Sequence, residues 1–498
     1  MLDVLVIGAG PTGLLMAAES VRYGMSCRII DRSRVPAKQS RALAIQPRTL
    51  EIFAHLGIID PFLAKGIKIH GGNPCSGKKR LAHFSFAALD SPYPFILSLE
   101  QSETEKILTE YLSSFAVPIE REVEFLDLVE EEDRVSATLR HLQSGKEEKV
   151  QAAWAVGCDG AHSQVRKCLG FSFSGKAFPA VLSLADVEID WKYRNDEVYL
   201  FFNPDGILGF IPMPGKNRYR LVFQLERCLG LQGMGHGQIG SEKIPDPTLE
   251  EVRDKVRRSI GEEISVSHPT WTANFQINSR LVESYQKGRV FLAGDAAHIH
   301  SPAGGQGMNS GLQDVFNLAW KLSTGDGDIL QTYTLERRSW GESLIRTTRL
   351  VTWLATLRNP LGIFLRNLWI RMVVPLVEKK ITRAVAQISI QYPKSCIVSE
   401  SGTFHGGPKV GTRAPNGPMG SQGDLYTVLR KTSLPHLLLF EGAEVPPLCG
   451  IISLHVTDKR MKPIYGIKGP SAYLIRPDHV IGHRSSPPNH SLIQSFSF

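Results

Sequence analysis

The amino-acid sequence predicts an α/β chain in which a parallel sheet wound with helices is joined to a second, antiparallel sheet. Three observations carry this. The chain opens on a strand, turn, helix and strand with glycines spaced GxGxxG, "DVLVIGAGPTGLLMAAESVRYGMSCRIIDRS". Two further apolar strands, near 154–158 and 289–293, each run into a glycine–acid turn, "WAVGCDG" and "GRVFLAGD". Between them, residues 171–280 alternate apolar and polar positions with period two, broken by "NPDG" and "PGKN". A chain of 498 residues has room for about three domains. At 42% hydrophobic and 21% charged it is expected to bury cores rather than remain disordered.

The first unit is the most specific. The unbroken apolar run at 4–7 reads as a parallel strand covered on both faces. A helix is predicted from about Thr12 to Tyr23, ended by Gly24, and the second strand finishes at Asp31. Each glycine has a separate physical task. Gly8 makes the tight turn, Gly10 lets backbone approach a pyrophosphate, and Gly13 lets helix and strand pack closely. The helix N-terminus adds amide donors and a partial positive charge for that pyrophosphate. Asp31 stands where a carboxylate binds ribose hydroxyls. The pattern predicts dinucleotide binding and leaves NAD(P) and FAD unseparated; the bland alternative is a glycine-rich turn in a core.

The next two turns extend the ligand. In "WAVGCDGAHSQVRKCLG", Gly157, Asp159 and Gly160 follow a strand, and Ser163 is placed to cap a helix. Gly294 and Asp295 end the strand at 289–293. Three such turns at the carboxyl ends of one parallel sheet would hold a cofactor along its length. Together with "SRALAIQPRTLEIF" (40–53), "LEQSETEKIL" (99–108) and "GDAAHIHSPAGGQGMN" (294–309), these segments resemble, in order and spacing, the FAD-dependent aromatic hydroxylases. These are the single-component flavoprotein monooxygenases related to p-hydroxybenzoate hydroxylase, and the likeness points to their phenol hydroxylase and polyketide hydroxylase branch.

The resemblance implies a fold and a site. The fold is an FAD-binding Rossmann-like (GR2-type) domain over 1–70, 99–170 and 281–340, and an antiparallel-sheet substrate domain over 71–98 and 171–280. A helical segment at 341–394 follows, then a small, shortened thioredoxin-like domain at 395–498. Gly8, Gly10, Pro11, Thr12 and Gly13 would hold the FAD pyrophosphate, with Asp31 and Arg32 at the adenosine ribose. Arg41 and Gln101 would lie along the pyrophosphate and ribityl chain, Asp159 would serve FAD and NADPH, and Gly294 and Asp295 the ribityl chain. Pro302, Gly304, Gly305, Gln306, Gly307, Met308 and Asn309 would line the isoalloxazine ring, with Pro302 near its C4a carbon. The implied reaction takes electrons from NADPH (or NADH) and O2, passes through a C4a-hydroperoxyflavin, and hydroxylates a small phenolic or polycyclic aromatic substrate. Epoxidation, Baeyer–Villiger insertion, inactivation of a polycyclic drug, or a non-catalytic FAD-fold binding protein are the alternatives. No second GxGxxG follows a predicted strand and opens a predicted helix, so no separate NADPH domain is expected.

Physical chemistry supports this use of the third segment. Its glycines let backbone lie against a flat ring, and the helix expected from about Asn309 aims amides at an anionic reduced flavin. His298 is read as a structural loop residue, and His300 as less determined. No metal-ligand spacing and no Ser–His–Asp arrangement is present. Tyr199, Phe201, Phe210, Met213 and Phe223 are the candidates for an aromatic-accepting pocket, each weighed against an ordinary core role.

The rest of the chain sets the context. A net charge of +8, spread without long basic blocks, suits anionic ligands and argues against nucleic acid. Seven scattered cysteines without CxxC suggest reduced thiols and a cytoplasmic setting. The apolar N-terminus reads as core strand and helix rather than a signal peptide. "LVTWLATLRNPLGIFLRNLWIRMVVPLVEKKITRAV" (350–385) has the composition of a membrane-surface helix; helices packed against both domains are the preferred reading. The C-terminal strands are expected to stabilise the chain or a homodimer.

Overall fold

The computed structural model describes residues 1–36, 42–204, 206–224, 245–302, 304–357 and 359–494. Its first sheet has eight strands. Leu2–Ile7 pairs in parallel with Cys27–Asp31 on one side and with the end of Glu147–Gly157 on the other. Ile119–Arg121 and Val290–Leu292 extend this parallel core outward on the two sides. The first half of Glu147–Gly157 instead pairs antiparallel with Val135–His141, which pairs with Val123–Glu130. Val4, Leu5, Val6 and Ile7 are buried, as a strand covered on both faces requires. Helix Pro11–Arg22 packs against helix Gly307–Thr324 above them. Proline at the first helical position, with its φ preset, starts the N-terminal helix one residue before the predicted Thr12.

The second sheet has nine strands, built on two 18-residue strands, Phe173–Asp190 and Ser265–Val282, that run antiparallel. Arg218–Phe223, Gly206–Pro212 and Glu197–Asn203 continue it antiparallel. Gly71–Ser76 joins the far side by a parallel pairing with Glu197–Asn203. The mixed α/β arrangement expected from the alternating patterns is therefore the one observed.

Two long helices follow, Gly327–Ala355 and Pro360–Val385. A third sheet of five strands closes the chain, in the order Ser399–Gly402, Ile481–Ser486, Ser471–Ile475, His436–Phe440, Ile452–His455. Its outer pairs are parallel and its inner pairs antiparallel. Of the seven cysteines, Cys228 lies outside the described residues and the other six are free thiols.

Candidate cofactor and substrate site

Because Val290–Leu292, the end of Glu147–Gly157 and Leu2–Ile7 are parallel neighbours, the three glycine turns stand side by side at one edge. Gly8 has φ +104°, and a Cβ there would sit 2.5 Å from the Cys158 carbonyl oxygen, so the first two turns touch. A Cβ on Gly13 would sit 1.8 Å from the Gly8 oxygen, which fixes helix against turn. At Gly10 a Cβ would meet nothing within 4 Å, and no side chain caps the helix it opens. Beside this open edge the Asp31 carboxylate accepts the Ala9 and Ser33 amides, each at 2.7 Å. Arg32 next to it is exposed.

In the second turn one Asp159 oxygen accepts the Gln164 amide at 2.6 Å and the Val165 amide at 3.1 Å. Its other oxygen is buried with no partner among the described residues. Burial pushes the Asp159 pKa up, against hydrogen bonds from Ser163 and backbone amides. Ser163 caps helix Gln164–Cys168 through the Arg166 amide. In the third turn Gly294 has φ +61°, and its Cβ position is 2.8 Å from Thr12 Oγ1, so this turn lies on the first helix's N-terminus. Asp295 is exposed while Ala293, Gly294, Ala296 and Ala297 are buried, so the chain turns this residue outward. Gln101 Oε1 accepts the Ala42 amide at 3.2 Å, and its Nε2 donates to Glu105 at 2.9 Å. Arg41 lies outside the described residues.

The loop at 302–309 is tied down from several directions. The Gly305 amide donates to the Pro302 carbonyl at 2.9 Å, and Gly304 and Gly305 have φ of +80° and +62°. Asn309 is fully buried: its side chain accepts the Gln46 amide at 2.8 Å and donates to the carbonyls of Ala44 at 2.8 Å and Gly305 at 2.9 Å. Gln46 Nε2 donates to the Gly304 carbonyl at 2.7 Å, while its Oε1 is buried and unpartnered among the described residues. Gln46 is a site neighbour the sequence did not single out. The helix starts at Gly307 rather than the expected Asn309, with Gln306 at its cap position. No side chain caps it, so the amides of Gly307 and Met308 have no side-chain acceptor at the helix start.

The two histidines separate. His298 Nε2 donates to Asp314 at 2.7 Å, and the other Asp314 oxygen accepts Arg337 at 2.7 Å. Burial pushes Asp314 up, but His298 and Arg337 outweigh it and hold the carboxyl below its usual range. His298 therefore belongs to a buried structural network. His300 Nδ1 donates to the Ser301 carbonyl at 2.7 Å. Its Nε2 is buried and unpartnered among the described residues, and lies 3.8 Å from the Cβ position of Gly307. Burial, then the charge of His298, pushes His300 down to about 4, so the ring is neutral at physiological pH.

The five pocket candidates need a correction. Tyr199, Phe201, Phe210 and Phe223 pack in one core cluster with Val252, Val256 and Ile260 of helix Leu249–Ile260, and Met213 is likewise fully buried. The four aromatic residues belong to the sheet face which that helix covers, and Met213 is buried outside that cluster. Strand alternation puts Leu200, Phe202 and Ile207 on the opposite face, where Ala355 and, from helix Pro360–Val385, Ile370 and Val374 pack on them. One turn before Ala355, Thr352 hydrogen-bonds Ser301 at 2.6 Å, which brings this face towards the 302–309 loop. The same face carries the buried Arg220–Asp186 pair at 2.7 Å. Gln224, one residue beyond Phe223, has its Oε1 buried without a partner among the described residues.

These observations fit an elongated anionic dinucleotide ending in a flat ring. Amide donors, outward carboxylates and glycine surfaces follow one another along one edge, and Gln46 Oε1 and His300 Nε2, beside the ring loop, are unpartnered among the described residues. The comparisons agree. A family model described as FAD binding domain matches residues 1–348. The 6-methylpretetramide 4-monooxygenase of Streptomyces rimosus is 36% identical over 413 residues, 80% of this chain and 72% of that protein. The pentachlorophenol 4-monooxygenase of Sphingobium chlorophenolicum is 32% identical over 456 residues, 89% and 80% of the two chains. The solved structure of an anhydrotetracycline hydroxylase from Streptomyces rimosus matches with a TM-score of 0.76 at 28% identity, covering 97% of this chain and 95% of that one.

Proposed function

The chain belongs to the FAD-binding family of flavin-dependent aromatic monooxygenases, and from that premise we propose that it hydroxylates a phenolic or polycyclic aromatic compound with NAD(P)H and O2. When bound, FAD supplies the transfer of electrons from NAD(P)H to O2 and the delivery of one oxygen atom to an electron-rich ring.

The chain's own residues then have defined tasks. Gly8, Gly10, Pro11, Thr12 and Gly13 hold the pyrophosphate against the first helix's amides. Asp31 and Arg32 serve the adenosine ribose, and Gln101, Asp159, Gly294 and Asp295 the linking chain, joined by Arg41. Pro302, Gly304, Gly305, Gln306, Gly307, Met308 and Asn309 seat the ring, where the amides of Gly307 and Met308 stabilise negative charge on its edge. The observation that carries the reading is the 302–309 loop, which Asn309 and Gln46 lock into a side-chain-poor surface in front of an uncapped helix. The substrate lies between that loop and the second sheet on the side of the Arg220–Asp186 pair, with Gln224 available to a ring hydroxyl. The relatives' names, a pretetramide, a tetracycline precursor and a chlorophenol, favour such a substrate. NADPH is proposed over NADH from the resemblance to the aromatic hydroxylases. The C-terminal sheet is read as an abbreviated thioredoxin-like unit without the redox CxxC, and its role as stabilising.

Purified protein is expected to be yellow, to release FAD on denaturation, and to oxidise NADPH faster when a polycyclic phenol is added. Heavy-isotope O2 should label the product with one oxygen atom. A colourless protein that takes up no FAD, or NADPH oxidation indifferent to every phenol tried, would overturn the proposal.

A further inference from the structure

The end of helix Gly327–Ala355 and the whole of Pro360–Val385 present an unusual exterior. Of sixteen large hydrophobic side chains exposed among the described residues, ten lie between positions 350 and 376. Within Pro360–Val385, Leu361, Phe364, Leu365, Leu368, Met372 and Leu376 recur every three or four residues. At about 100° per residue they fill one continuous arc. The opposite arc, with Ile370 and Val374, is buried against Phe202 and Ala82 of the second sheet. The helix is thus apolar on both sides, and its outward side is the wider.

Charge identifies what this face meets. Residues 341–385 hold eight Arg and Lys against two Glu, a net of +6 of the chain's +8. Both acids are engaged: Glu342 pairs with Arg338 at 2.9 Å, and Glu378 accepts the Ser85 amide at 2.7 Å. Arg346, Arg349, Arg371, Lys379 and Lys380 are exposed and border the apolar arc. Trp353 and Trp369 are also exposed there, residues suited to the boundary between water and hydrocarbon.

We propose that this face docks the protein on an anionic lipid surface, with helix Pro360–Val385 lying along the membrane. The helix passes the length and hydropathy test for a membrane span. It lies on rather than crosses the bilayer, because its inner face is packed on protein and Arg366 is buried in its second turn. A second copy of the chain is the weaker occupant, since a two-fold contact would set the basic borders of two identical faces together. The docked face backs the sheet that carries Phe202 and Ile207, which places that sheet where lipophilic polycyclic compounds partition.

The test is co-flotation of the full chain with vesicles of phosphatidylglycerol and phosphatidylcholine, or of phosphatidylcholine alone, with its mass in free solution read by light scattering. Flotation is expected with the anionic vesicles only, weakening at high salt. Leu376 is 84% exposed, so Leu376→Asp should keep the melting temperature and lower vesicle partitioning about tenfold. Lys379→Glu combined with Lys380→Glu should lower it comparably. Absence of flotation at every phosphatidylglycerol fraction, or flotation untouched by these variants, would overturn the proposal. So would a dimeric mass abolished by Leu376→Asp, which would assign the face to a second copy.

Discussion

At the scale of residues, the loop facing the ring position depends on Gly305, Asn309 and Asp295 in different ways. A Cβ on Gly305 would sit 2.7 Å from Ala44 Cβ on a backbone already at φ +62°. Gly305→Val is therefore expected to weaken FAD binding by at least about tenfold, one pKd unit or roughly 1.4 kcal/mol, read by flavin fluorescence titration; unchanged affinity would remove the loop from the ring site. Asn309→Leu strands the Gln46 amide and two carbonyls in the interior. Urea unfolding should show a loss on the order of 3 kcal/mol. Asp295→Ala is the contrasting case, because its exposed side chain supports no core: FAD affinity should fall while the urea midpoint stays. The HxH spacing of His298 and His300 is uninformative by itself. Only their neighbours separate a ring tied to Asp314 and Arg337 from a ring whose Nε2 faces the start of helix Gly307–Thr324.

At the scale of elements, the C-terminal sheet is joined to the rest through buried charge. Glu336, on helix Gly327–Ala355, accepts Lys321 Nζ at 2.8 Å, Asn317 Nδ2 at 2.8 Å and Arg476 at 2.6 and 2.9 Å. Burial pushes Glu336 up, yet Arg476 and Lys321 outweigh it and hold it well below the carboxylate range. On Lys321 burial prevails over the pull of Glu336 and lowers its pKa to about 8. Glu336→Gln leaves two buried cations short of a counter-charge and should cost about 3–5 kcal/mol. Urea unfolding measures the loss, and limited proteolysis should release the C-terminal unit sooner. A change below about 1 kcal/mol would place this junction among contacts of surface strength. Arg476 and its partner Asp478 lead directly into His479, whose Nε2 meets His55 Nδ1 at 3.0 Å across the same junction.

At the scale of the whole molecule, buried histidines set the response to acid. Burial lowers His300, His436 and His483 to about 4, and lowers His55 and His479 well below their ordinary value. The unfolded chain takes up these protons near pH 6.5, whereas the folded chain refuses those of His300, His436 and His483 until about 4 and holds His55 and His479 neutral well below 6.5. Stability is therefore expected to be independent of these rings above 6.5 and to fall as pH drops through that window, visible as a declining urea midpoint. His479 has φ +61°, a conformation asparagine tolerates, so His479→Asn should flatten the decline by about one proton without backbone strain. An undiminished slope would show that this ring titrates normally. Some of this molecule was legible from spacing alone. The glycine tasks at Gly8 and Gly13, the caps and the parallel core are settled within one turn of chain or by unbroken apolar runs, where local sterics leave few choices. The side-by-side placing of the three turns follows from that parallel core. Other features were not legible, because a periodicity says that faces alternate without saying what each face meets. Tyr199, Phe201, Phe210 and Phe223 were reasonable pocket residues until helix Leu249–Ile260 took their side of the sheet. Gln46 lies inside the 40–53 segment, but nothing there singles it out; it gains its place through Gly304 and Asn309, 258 and 263 residues away. The sequence by itself determined the dinucleotide turn and the class of fold, since those are local. Which face looks at the ring, which histidine is buried in ion pairs, and which side of Pro360–Val385 is left uncovered were decided by partners distant in the chain.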